Sequence, residues 1–171
     1  MNFAQSLTSL DPLLVAANTG SPVEAAPLLP HMGITIGEYH LLLSAADARE
    51  VITPPPISRL PNTVAWLRGL TNVRGGLVPV VDLAAAFGTP HAPHLPLYLL
   101  ISGHGDAVMG LLIDGLPHLL NVDTSRPVSS RPALPVLLEE NTVAIYEHEG
   151  RRWIEPDLQR LFNTFARHVA L

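Results

Sequence analysis

The chain contains no cysteine and no lysine. Without a thiol there is no disulfide, no thiolate metal site and no cysteine nucleophile. Its ten basic residues are all arginine and stand against 15 acidic ones, a formal net charge of -5. That balance offers no basic face for nucleic acid and no polybasic patch for a lipid surface. No arginine precedes Arg49. A secretory leader needs a positive start and a sustained apolar core, so export is not expected. No apolar run approaches the length of a membrane span, so direct membrane insertion is not expected either. The expectation is a cytoplasmic protein.

What is present is 171 residues, 47% of them hydrophobic, enough for one sizeable core or two small subdomains that share one. Residues 1–31 read as an N-terminal extension and linker. Phe3, Leu7, Leu10, Leu13 and Leu14 sit near helical spacing, and a helix can start at Pro12. The segment Asn18–Pro30 carries Gly20, Pro22, Pro27 and Pro30 and reads as the linker. The lead is either an unstructured tail or a docking helix that folds on a partner.

From residue 32 the pattern is that of short strands. Met32, Ile34 and Ile36 alternate with smaller residues, and Gly37-Glu38 turns the chain into Tyr39–Leu43. Ala45–Val51 reads as a short helical or turn segment that delivers Glu50, and Thr53-Pro54-Pro55-Pro56 as a stiff connector without ladder donors. The centre of the chain is Pro61–Gly88. Two strands flank Arg74-Gly75-Gly76, where a tight connection needs positive φ. Pro79 places its strand at an edge or a bulge. Asp82 caps a helical turn over Leu83–Phe87, and Gly88 stops it. Further on, Leu97–Ser102 and Ala107–Ile113 read as strands, Asp114-Gly115 as a turn and Leu116–Val122 as another strand. Asp123–Pro135 is a loop, and Leu134–Leu138 can add a short turn. Thr142–Glu147 and Arg151–Ile154 form a hairpin whose last strand is cut short by Glu155-Pro156. A C-terminal helix over 156–169 follows, with Leu158, Leu161, Phe162, Phe165 and Val169 on one apolar stripe that packs on the chain's own sheet. Many short strands with close turns imply an all-β barrel or sandwich.

Signals for catalysis are sparse. His91 and His94 lie in a proline loop with no carboxylate nearby in sequence, and the other histidines are scattered, so solvated or hydrogen-bonded histidine is the better reading than metal ligation. No nucleophile elbow is present. Glu139-Glu140 are adjacent and do not converge on one bond. No catalytic residue, metal or cofactor is assigned. The one constellation is polar and sits in the central hairpin: Asn72-Val73-Arg74-Gly75. Composition alone reads it as a turn asparagine and a solvated arginine. The sharper reading has Arg74 reaching back to Glu50 while Asn72 braces the turn. If that pair is buried, breaking it costs about 3–5 kcal/mol.

The run Gly69-Leu70-Thr71-Asn72-Val73-Arg74-Gly75-Gly76-Leu77-Val78-Pro79-Val80-Val81-Asp82-Leu83 closely resembles the signature of the CheW-like adaptor family. The resemblance extends upstream through Gly33–Val51 and more loosely downstream to about Phe162. The long lead and the Asn72-Val73-Arg74 wording are most similar to the branch that serves chemosensory systems controlling type IV pili. The resemblance implies two intertwined five-stranded SH3-like barrels over residues 32–171. It also implies a non-enzymatic scaffold in chemotaxis-type signal transduction. The expected partners are the regulatory domain of a CheA-like histidine kinase and the cytoplasmic tip of a methyl-accepting chemoreceptor, at receptor arrays beneath the inner membrane. In the family the arginine matching Arg74 is associated with signalling. Val51, Leu70, Val78 and Leu83 are candidates for partner surfaces, with core packing the stronger reading for each. Thr142-Val143-Ala144 departs from the family, which has a glycine there. The rival from another class is a small β-barrel hydrolase or carbohydrate-binding module with a dispersed site.

Overall fold

The structure, a computed structural model, describes residues 30–169. The lead helix from Pro12 and nearly all of the Asn18–Pro30 linker lie outside these residues. Strands and helices run in the order β1 His31–Ile36, β2 Tyr39–Ser44, β3 Ala48–Ile52, β4 Leu67–Val73, β5 Gly76–Asp82, α1 Leu83–Phe87, β6 Leu97–Ser102, β7 Met109–Leu120, α2 Val136–Glu140, β8 Thr142–His148, β9 Arg151–Pro156 and α3 Leu158–Val169.

The 12-residue strand β7 is the spine. Its first half pairs antiparallel with β6 and parallel with β5, and its second half pairs antiparallel with β1. One five-stranded unit is therefore β3-β6-β7-β5-β4, and the other is β7-β1-β2-β9-β8. The middle of the chain builds the first and the two ends build the second, the mainly-β, two-unit arrangement expected from the resemblance. Hydrogen bonding leaves both curled sheets open among the described residues, since β3 does not pair with β4 and β8 does not pair with β7.

Three local readings are corrected. Asp114-Gly115 is not a turn, because β7 runs straight through it. Gly115 takes φ +75°, and the β1–β7 register shifts between Gly33 and Thr35. The glycine thus makes a bulge that bends one strand from one unit into the other. Of Ala45–Val51 only residues 45–47 are a turn: Ala48–Ile52 is the edge strand β3, zipped onto β6. Its partner lies some fifty residues downstream, and its own pattern is only half-buried, so local periodicity is weak there. Finally, β9 is not cut short at Ile154. It continues to Pro156, which lies opposite Thr142 at the end of the β8 ladder, where a missing N–H matters least. The expectation for Pro79 is also corrected: its strand β5 is neither at an edge nor bulged there but lies between β4 and β7, and the proline is tolerated because the β7 ladder begins only at Val80.

The unbroken apolar runs are explained by burial on both faces. On β2, Leu41 and Leu43 enter the main core while Leu42 faces Val122, Tyr146 and Trp153. On β5, β6 and β7, Val81, Leu100, Leu111 and Ile113 face the main core, and Val80, Leu99, Ile101 and Leu112 face the inside of their own unit. The main core is thus a shared interior between the units. α1 and α3 complete it: Leu83, Ala84 and Phe87 enter from α1, and Leu158, Leu161, Phe162 and Phe165 from the apolar stripe of α3. Each fully buried Leu, Ile or Phe contributes about 1.5–3 kcal/mol of transfer free energy.

Candidate functional site

The β4–β5 connection is a two-residue loop. Arg74 has φ +52° and Gly75 φ +87°, with β5 starting at Gly76. Both central residues are left-handed, the geometry of a type I′ turn. The pair that turns is therefore Arg74-Gly75, not Gly75-Gly76. Asn72 Oδ1 accepts a 2.9 Å hydrogen bond from the Gly75 amide and braces the turn. Arg74 Nη2 donates to Glu50 Oε1 at 2.7 Å, tying the hairpin to β3. An L-residue in this conformation carries about 1–2 kcal/mol of strain, so an arginine here sits where Gly or Asn would be at ease.

The burial assumed for this pair is corrected. The Arg74 side chain is 79% exposed and that of Glu50 27%. Breaking an ion pair this exposed costs 0–1 kcal/mol rather than several. Around the pair lies a groove of ≈ 440 Å³ with Arg49, Val73, Leu77 and Ile101 among its lining. Leu77 is 72% exposed on its rim.

The four apolar candidates separate. Val78 and Leu83, at 6% and 0% exposure, are core and offer no surface. Val51 is half-buried against the main core. Leu70 is half-buried and lines a second, wholly different groove. That groove, of ≈ 290 Å³, has Trp66, Leu67 and Leu70 on one side, Pro79, Val81 and Met109 beneath, and Phe165 and Ala166 of α3 opposite. Among the described residues its lining side chains are all apolar. Trp66 and Phe165 meet across it, ring centroids 4.6 Å apart. Because α3 follows β9, the groove lies where the C-terminal helix of one unit crosses the hairpin of the other. Trp66 lies just before β4 and Phe165 on α3, and only the tertiary fold joins them.

A third feature went unseen in the sequence. His91 Nδ1 lies 2.7 Å from Asp114 Oδ1, and its Nε2 lies 3.1 Å from Asp82 Oδ1, without the alignment of a hydrogen bond. The carboxylates are 0% and 3% exposed. Asp114 Oδ2 also accepts from the amides of Gly37 and Ala92, at 2.6 and 3.1 Å. Asp82 Oδ1 accepts the 2.9 Å cap bond from the Ala85 amide, and its Oδ2 lies 3.4 Å from Arg68 Nη1. The cap role of Asp82 was legible; the pairing with His91 required a loop and a strand that meet only in three dimensions. Through the Nδ1 bond to Asp114, with Nε2 set against Asp82, the ring fastens the loop after α1 to β7 and the end of β5. Among the described residues no group of three or more His, Cys, Asp or Glu is placed to hold a metal ion. Among the same residues no helix is long and apolar enough to cross a membrane.

Comparison with known proteins places this geometry. Residues 30–166 match the family model described as the CheW-like domain. The chain is 31% identical over 144 residues to Protein PilI of Pseudomonas aeruginosa, covering 82% of this chain and 79% of that protein. It is 25% identical over 137 residues to Chemotaxis protein CheW of Rhizobium meliloti, covering 79% and 88%. The crystal structure of scaffolding protein TtCheW from Thermoanaerobacter tengcongensis superposes with a TM-score of 0.65 at 21% identity, covering 77% of this chain and 90% of that one. The chain belongs to the CheW-like domain family.

Proposed function

We propose that the protein is a non-enzymatic scaffold of chemotaxis-type signalling that couples a chemoreceptor to a CheA-like histidine kinase. The likeness to PilI supports an output through type IV pili and twitching motility. The observation that carries the reading is the apolar groove at Trp66, Leu70 and Phe165. An open groove lined only by apolar side chains is the kind of surface that takes the apolar face of a helix. Its occupant in this reading is the helical hairpin at the receptor's cytoplasmic tip.

The second surface is the Arg74 side of the molecule. The turn, Glu50 on β3 and the exposed Leu77 form a mixed polar and apolar rim, suited to a transient contact with the kinase's regulatory domain. Residues 32–171 act as one adaptor domain, with 1–31 as its extension, in the cytoplasm at receptor arrays beneath the inner membrane. Catalysis of a small-molecule reaction plays no part. The test is separable by surface. Leu70→Asp puts a charge in the apolar groove and should abolish capture of a receptor cytoplasmic fragment while leaving the kinase regulatory domain bound. If Leu70→Asp is folded and binds the receptor fragment normally, the groove is not the receptor site and the reading fails.

A further inference from the structure

The apolar groove does not end at Leu67. On the other side of that residue lies a second hollow of ≈ 260 Å³, and Leu67 lines both. Its polar lining is Arg59, Asn62, Thr63 and Arg68. Among the described residues no aspartate or glutamate lines either hollow, in a chain whose acidic residues outnumber its basic ones 15 to 10. Arg59 is exposed and makes no hydrogen bond or ion pair among the described residues. Arg68 exposes 44% of its side chain and spends one nitrogen on a 3.4 Å contact with Asp82. A guanidinium has five N–H donors, so most of its capacity is unspent.

The segment that carries these groups is pinned. Ser58 and Leu70 exchange both backbone hydrogen bonds, at 2.8 and 2.9 Å. Gly69, at φ +134°, packs so closely on the Ser58 carbonyl that a side chain there would collide with it. Thr63 Oγ1 donates to the Leu60 carbonyl at 3.1 Å. The two arginines therefore stand on a fixed wall beside the apolar groove, with no carboxylate paired to Arg59 among the described residues.

We propose that the partner helix entering the groove carries acidic residues flanking its apolar stripe. The stripe fills the hollow at Trp66 and Leu70, and the carboxylates one turn away, at i±3 or i±4, meet Arg59 and Arg68. The inference rests on the reading above that the groove accepts a helix; it adds the charge of that helix. Rim charges of this kind act chiefly on encounter rate, salt dependence and choice of partner.

The test uses the full chain and two synthetic helical hairpins with the same leucine stripe, one flanked by glutamate and one by glutamine. The glutamate hairpin should bind roughly threefold to tenfold more tightly at low salt, and the advantage should shrink as salt rises. Arg59→Gln with Arg68→Gln should erase the advantage without weakening the glutamine hairpin. Arg59→Gln alone, which breaks no hydrogen bond or ion pair among the described residues, should remove part of it and guards against a folding defect from losing the Asp82 contact. Equal binding of the two hairpins to the unaltered chain overturns the acidic flank and leaves the groove standing. Binding of neither overturns the groove reading and this inference with it. Binding of phosphatidylserine vesicles through Arg59 and Arg68, with no preference between hairpins, makes the occupant a lipid surface and overturns the proposal.

Discussion

His91 and Asp114 are joined at 2.7 Å, and through this bond the proline-rich loop after α1 is held against the middle of β7. The same carboxylate accepts the Gly37 amide from the β1–β2 turn. Asp114 thus gathers a loop, a strand and a turn at the point where β7 passes from one unit to the other. His91→Ala leaves a buried carboxylate short of one partner, at a cost of about 1–3 kcal/mol. Urea unfolding should show a lowered midpoint with an unchanged slope. A midpoint equal to that of the unaltered chain would show that solvent replaces the imidazole freely.

Gly69 and Gly75 share positive φ, 134° and 87°, but not surroundings. Gly75 has open space where a methyl would go, so Gly75→Ala should cost only its backbone strain, about 1–2 kcal/mol. Gly69→Ala drives a methyl into the Ser58 carbonyl and should cost clearly more, by displacing the 58–70 bridge. Thermal melts of the two variants should fall in that order.

The proposed role of Arg74 in partner binding can be separated from its role in stability. Arg74→Asn creates an Asn-Gly pair at a type I′ turn, the residues that turn prefers. It removes an ion pair that is mostly exposed. Stability should stay level or rise by up to about 1 kcal/mol, while binding of the kinase regulatory domain weakens, as it should for Glu50→Ala. Calorimetry and a binding isotherm on each variant check both halves. Weakened binding together with a large loss of stability would return the pair to a purely structural role.

Tyr146 donates its hydroxyl to Glu155 Oε2 at 2.7 Å across β8 and β9. Burial, then the hydrogen bond to Glu155 and its charge, push the phenol up to about 12 from its ordinary 10.0. The folded state favours the protonated phenol, so the unfolded chain releases its proton first. The contribution of this group is therefore intact below pH 10, is lost as pH rises from 10 toward about 12, and levels off beyond. Tyrosinate absorbance should show a late-ionising component that shifts down in Glu155→Gln, apart from Tyr39, which is also raised, first by burial and then by Glu38. Tyr146→Phe should remove that part of the alkaline stability loss.

Legibility in the sequence followed the range of the forces involved. The β1–β2 and β4–β5 hairpins, the Asp82 cap, the Gly88 stop and the apolar stripe of α3 were all readable, because each is set by residues within a few positions of one another. The Arg74–Glu50 contact was readable from an arginine's need for a carboxylate, but its exposure was not, since exposure depends on what β3 and β6 leave uncovered. β3 was misread because an edge strand needs only half an apolar pattern. Asp114-Gly115 was misread because the same dipeptide serves a turn or a bulge, and neighbours on both sides of β7 decide which. The Trp66–Phe165 groove and the His91 fastening join residues 99 and 23 positions apart, and no local pattern encodes either.

In the proposed scaffold one molecule holds two partners at once, on separate faces. Sedimentation of the full chain with a receptor cytoplasmic hairpin fragment and a CheA-like regulatory domain should then give a single species containing all three, which Leu70→Asp reduces to the chain and the kinase domain alone. If the receptor fragment and the kinase domain instead displace one another from the chain, there is one surface rather than two, and the scaffold reading is wrong.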